Sequence, residues 1–171
     1  MRKCLCSYTE IPDVVTLARE LVKINSIPDS LHRDFGKGET YLAHWLKDLF
    51  SCFDFTTDLL PVEGTRPNLI VRHQAFVPGL PTLALTAHLD TVSADGMTID
   101  PFAAVVRDNR LYGRGACDVK GTMAVMIVSL LNWYKKNVRE DQVFNILFIA
   151  TMGEEGGTLG SRELVLSLIH I

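Results

Sequence analysis

Two stretches of this chain are apolar almost without interruption, and each stops at a charged cluster. Leu83-Ala84-Leu85-Thr86-Ala87 runs from Pro81 into His88-Leu89-Asp90, and Val143 to Ala150 runs through Met152-Gly153 into Glu154-Glu155. Neither alternates apolar with polar residues, as a strand with one wet face does. Both therefore read as strands buried on two faces, the first of them central in its sheet. Strands of this kind need cover on both sides, and around them the period of the sequence changes. Val14, Leu17, Ala18, Leu21 and Val22 recur at helical spacing within Ile11 to Ile24, with Pro12 placed in the first turn. Leu42, Trp45, Leu46, Leu49 and Phe50 form a second such stripe, and Met123, Met126, Ile127, Leu130, Leu131 and Tyr134 a third. Helices that alternate with buried strands specify an α/β sandwich.

Shorter signals fill the gaps. Thr56 to Leu60 and Asn68 to Arg72 are strand candidates separated by Pro61, Gly64 and Pro67. Val105 to Arg107 and Arg110 to Tyr112 flank Asp108-Asn109, which predicts a tight hairpin. With 171 residues, one domain is expected. Lys and Arg total 17 against 20 Asp and Glu, a formal charge of −3, which argues against a nucleic-acid partner. No apolar run reaches the roughly 18 residues of a membrane span, and the N-terminus lacks the apolar segment of a secretory signal. Cys4, Cys6, Cys52 and Cys117 have no paired CxxC spacing, so neither a zinc ribbon nor a disulfide framework is indicated, and a cytoplasmic location is expected.

Chemistry concentrates where hydrophobic elements end: His88 and Asp90, Asp118 within Gly113 to Asp118, and Glu154-Glu155. In α/β sheets ligands collect at the carboxyl ends of strands, so the first and last clusters are suitably placed. One imidazole with several carboxylates suits divalent zinc, cobalt or manganese, and adjacent glutamates allow one to bind metal while the other stays free as a base. Taken singly, each residue also has an ordinary reading. His88 reads as a strand-end histidine bonded to backbone, Asp118 as the cap of the next helix, and Glu154 and Glu155 as solvated loop acids. Gly113 to Thr122 carries Lys120-Gly121-Thr122 where a Walker A loop needs Gly-Lys-Thr, and no HExxH, GxSxG or GxGxxG occurs.

In order and spacing, Ala84 to Val92, Leu111 to Gly121 and Ala150 to Gly156 resemble the dinuclear-zinc M20 metallopeptidase and amidohydrolase family, which includes acetylornithine deacetylase, succinyl-diaminopimelate desuccinylase, aminoacylase and glutamate carboxypeptidase. The resemblance runs from about Ile11 to Leu164 and takes in Asp100-Pro101-Phe102. It implies a zinc-peptidase-like three-layer sandwich with a mixed, largely parallel central sheet, here incomplete. It further implies that His88 binds one zinc, Asp118 bridges both and Glu155 binds the other, with cobalt or manganese as substitutes. Glu154 is then the general base, and Asp90 the carboxylate that orients His88 through its second nitrogen. The peptide from Asp118 to Val119 is expected to be cis.

The function so implied is hydrolysis of the amide of an N-acyl amino acid or small peptide by a metal-activated water, in a protein that pairs as a homodimer. Family members are longer. They take a third ligand for each metal from beyond this segment, and they carry a lid and dimerisation domain that is not found here. His170 is a poor stand-in for their late histidine, and residues 166–171 read as a non-native tail. Residues 1–171 are thus expected to be the N-terminal portion of a catalytic domain. The alternative is a non-catalytic remnant acting as an interaction fragment.

Overall fold

The computed structural model describes residues 8–28, 38–74, 76–137 and 143–169. The Cys4-x-Cys6 pair and His170 lie outside the described residues. Helix α1, Val14–Lys23, buries the stripe Leu17, Ala18, Leu21 and Val22. It starts later than its apolar spacing suggests. Asp13 is extended (φ −69°, ψ 156°) and its side chain accepts from the Thr16 amide at 3.0 Å, so the cap excludes Pro12 from the helix. Helix α2, Glu39–Ser51, buries its expected apolar positions together with Glu39.

Strands β1, Phe55–Glu63, and β2, Arg66–His73, are longer than expected, because Pro61 and Pro67 sit opposite each other within the pair rather than ending it. A bulge between Pro61 and Glu63 accommodates them. Strand β3, Thr82–His88, is followed by the hairpin of β4, Val105–Arg107, and β5, Arg110–Tyr112. The turn residues Asp108 and Asn109 have φ of 51° and 58°, the left-handed pair that a two-residue hairpin loop requires. Helix α3, Gly121–Asn137, strand β6, Asn145–Thr151, and helix α4, Leu159–Ile169, complete the order.

The main sheet runs β1-β2-β6-β3. It is mixed, as expected, but its only parallel pair among the described residues is β3 with β6, because β1 and β2 form a hairpin and β2 runs against β6. Leu69, Val71, Phe148, Ala150 and Ala87 share one face and join the core with α1, α2 and α3. Asn68, on the other face, donates to the Gly160 carbonyl of α4, which gives the three layers.

The placement of β3 corrects the sequence reading. Among the described residues it is an edge strand, with Leu83 50% exposed, rather than a central one. An unbroken apolar run reports what a strand is able to bury, and here only β6 pairs with it among the described residues. No described helix is long and apolar enough to cross a membrane.

Candidate metal centre

Parallel pairing makes β3 and β6 end at the same edge of the sheet, with His88 in register with Thr151. The Leu89 amide continues the ladder to the Thr151 carbonyl at 2.8 Å. The segments His88-Leu89-Asp90 and Met152 to Glu155 therefore leave the sheet side by side. The third cluster arrives on the wide turn Ala116–Lys120, which begins at Gly115 in the left-handed region (φ 77°). Asp118 interrupts that turn with extended backbone (φ −123°, ψ 96°), and the Asp118–Val119 peptide is cis. Two ties hold the turn. The Arg114 amide donates to the Pro101 carbonyl at 2.7 Å, and Lys120 Nζ donates to the Ile24 carbonyl at the end of α1 at 2.6 Å. Lys120 is buried, and desolvation pushes its pKa down to about 7.

His88 Nε2 lies 2.8 Å from Asp118 Oδ1. One ligand atom each from His88, Asp118 and Glu155 fall within 4.8 Å of one another, with His88 buried and both acids exposed. The three residues singled out as metal ligands thus converge. The carboxylate of Asp90 raises the His88 pKa most, with Asp118 and the Asp90 carbonyl adding to it against burial, and together they push it up to about 9. Desolvation first, then the Asp118 charge, pushes Glu155 up, and the Glu154 charge adds to this.

Asp90 meets His88 Nδ1 with its backbone as well as its side chain. His88 Nδ1 sits 2.9 Å from the Asp90 backbone carbonyl, while the Asp90 carboxylate is 3.6 Å away, beyond hydrogen-bonding distance. A carbonyl only accepts, so Nδ1 carries a hydrogen, and Nε2, facing a carboxylate oxygen in a ring whose pKa is about 9, carries one as well; a metal ion bound at Nε2 would take that proton's place. The Asp90 carboxylate instead accepts the amides of Glu154 at 3.0 Å and Glu155 at 2.9 Å. It therefore positions the glutamate loop, and acts on His88 through its charge.

Sequence reasoning missed three residues around this loop. Glu39 and Asn68 are buried acceptors for the Gly153 and Met152 amides, and Lys120 braces the Asp118 turn. A glutamate at the start of a helix ordinarily reads as a solvated acid that favours the dipole. The one available signal was Asn68, a polar residue placed directly before the apolar run Leu69-Ile70-Val71.

Residues 84–169 match the profile described as Peptidase family M20/M25/M40. A protein named probable succinyl-diaminopimelate desuccinylase from Staphylococcus epidermidis is 30% identical over 155 residues, covering 89% of this chain and 35% of its own length. An acetylornithine deacetylase from Edwardsiella ictaluri is 33% identical over 167 residues, covering 93% of this chain and 40% of the relative. The fold is similar to the crystal structure of an M20 family metallo-carboxypeptidase from Sulfolobus solfataricus, with a TM-score of 0.74 at 22% identity over 90% of this chain and 34% of that one. Human carnosine dipeptidase 1 gives a TM-score of 0.72 at 25% identity, covering 89% of this chain and 34% of its own. This chain spans 35% and 40% of the two curated relatives. The profile covers half of the chain, and the chain belongs to peptidase family M20/M25/M40.

Proposed function

We propose that this chain is the N-terminal, metal-binding portion of a hydrolase that cleaves the amide bond of an N-acyl amino acid or small peptide. The observation that carries the reading is the convergence of His88, Asp118 and Glu155 to within 4.8 Å at the carboxyl edge of the parallel strands. One imidazole nitrogen and two carboxylates suit zinc, with cobalt or manganese as substitutes. His88 would hold one ion, Glu155 the other, and Asp118 both. When bound, such ions lower the pKa of a water and polarise a carbonyl oxygen. Glu154 would accept the water's proton on its carboxylate and return it to the leaving amine. The Asp90 carbonyl would fix the His88 ring, and the Asp90 carboxylate would keep Glu154 and Glu155 at their stations.

The relatives' names motivate the choice of substrate class, an acylated amino acid or a short peptide. The reading includes a soluble cytoplasmic setting and a homodimeric full-length protein, with a small molecule rather than a nucleic acid or membrane as partner. A second reading, a non-catalytic fragment, is favoured by ligand count, because each ion would keep two protein ligands of the three usual for catalytic zinc. The deciding experiment measures, in the full-length protein, bound metal and hydrolysis of acetylornithine, succinyl-diaminopimelate and simple N-acyl amino acids with added zinc or cobalt. Metal-dependent turnover lost on replacing Glu154 supports the hydrolase. Metal binding without turnover supports the non-catalytic reading, and no binding overturns the metal centre.

A further inference from the structure

The loop that carries Glu154 and Glu155 is held by an unusual set of acceptors. Four successive amides leave the end of β6, and each meets a buried side chain. Met152 donates to Asn68 Oδ1 at 3.0 Å, Gly153 to Glu39 Oε2 at 2.9 Å, and Glu154 and Glu155 to the two oxygens of Asp90. Buried amides outside a ladder must find partners, and here they come from β2, from the first residue of α2 and from the segment after β3. Charged acceptors make the stronger and more directional bonds. Glu39 is fully buried and ion-paired with Arg66 Nε, and Arg66 Nη1 pairs with Glu63. Gly153 turns in the left-handed region (φ 61°), and a Cβ there would come within 3.3 Å of the Arg66 guanidinium.

A carboxylate needed only to begin α2 would sit in water, where it favours the helix dipole without losing its hydration. Burying it is costly, and burial pushes the Glu39 pKa up against the pull of Arg66 and the Gly153 amide. Stability alone would be served as well by an apolar pair of similar volume. What an apolar pair does not offer is an acceptor for Gly153 immediately before the two glutamates. We infer that Glu39, tied to Arg66, is a positioning residue of the metal centre, fixing the Gly153 amide and thereby where Glu154 and Glu155 stand. This deepens the metal reading above and rests on it. Ligands must be held to within about half an ångström to bind metal well, and a left-handed glycine has no side chain of its own to hold it there.

The test compares this chain with the Glu39→Gln variant and with a double variant, Glu39→Met with Arg66→Met. The double variant replaces the ion pair by apolar chains of similar length and leaves no buried charge behind, so the fold is retained. Amide hydrogen exchange is read at residues 153–155, and cobalt affinity is read by absorption titration. In the double variant, exchange at these amides rises about tenfold or more while β6 and α1 stay protected, and cobalt affinity falls about 10- to 100-fold. Glu39→Gln keeps an acceptor oxygen and restores most of both. Unchanged exchange at Gly153 overturns the inference, and so does released exchange with unchanged cobalt affinity. Glu155→Ala serves as the separate control: if it leaves cobalt affinity intact, the metal reading itself fails, whatever Glu39 does to the loop.

Discussion

The side-chain amide of Asn68 donates through Nδ2 to the carbonyl of Gly160 at 2.8 Å. Its oxygen accepts the Met152 amide, and Gly160 N in turn donates to the Met152 carbonyl at 3.0 Å, so one buried side chain joins β2, the end of β6 and the start of α4. There is no room for a methyl group here. A Cβ on Gly160 would lie 2.5 Å from the Met152 carbonyl oxygen and closer still to Asn68 Oδ1. Gly160→Ala is expected to lower stability by about 1–3 kcal/mol, the usual range for overpacking, despite the better helix propensity of alanine. Urea unfolding measures this, and an unchanged or raised midpoint would show that α4 is free to shift.

The two glutamates are expected to separate in their effects. Glu155→Ala should weaken zinc or cobalt binding, because it removes a proposed ligand. Glu154→Ala should leave bound metal unchanged and, in whatever length of the protein turns over substrate, slow turnover by about 10²- to 10⁴-fold. Metal analysis alongside an amidase assay distinguishes them. Loss of metal in Glu154→Ala would mean that the roles are exchanged.

Asp90→Ala removes both amide acceptors of the glutamate loop and the negative charge nearest His88 Nδ1, while the backbone carbonyl that orients the ring remains. Metal affinity should fall about 10- to 100-fold, with binding not abolished. An isothermal titration with zinc checks it, and wild-type affinity would remove Asp90 from the site.

His73 packs among Phe76, Trp133 and Tyr134, and burial holds its pKa below the usual imidazole value. The folded state therefore takes up this proton at lower pH than the unfolded chain does. The stability contribution is fully present above the unfolded value of about 6.5 and is lost as pH falls through that value towards the lower folded one. His73→Phe should lose less of its urea midpoint between pH 7 and pH 5.5 than the wild type. Parallel pH dependences in the two proteins would assign the acid sensitivity elsewhere.

The 171-residue chain alone is expected to hold substoichiometric zinc after dialysis, to show no amidase activity above background and to aggregate. The surface expected to drive this is the β3 edge, where Leu83 is 50% exposed. Leu83→Lys places a charge on that edge and should reduce the aggregated fraction in size-exclusion chromatography. Equal aggregation would point to another surface.

What could be read from the sequence divides along physical lines. The stripe of α2, the Asp108-Asn109 hairpin and the strand β6 depend on local period and turn chemistry, and they stand where the spacing puts them, β6 starting two residues later at Asn145. That His88, Asp118 and Glu155 lie together was legible because they end hydrophobic elements and because their order matched a family pattern. The edge position of β3 was not legible, since an apolar run says what a strand tolerates on its faces and nothing about how many neighbours it has. Glu39 was hidden for a different reason. Its burial depends on Arg66 and on a glycine 114 positions away, and no local window contains that information.

The open side of β3 carries a thermodynamic obligation. His88 rides on the strand with a single described neighbour, whereas Glu155 follows β6, which is flanked on both sides. Anything that binds His88 only when β3 is docked must favour docking, and anything that docks against β3 must favour that ligand. The two free energies are equal by linkage, so a strand laid along the edge and an ion at the imidazole raise each other's affinity by the same factor.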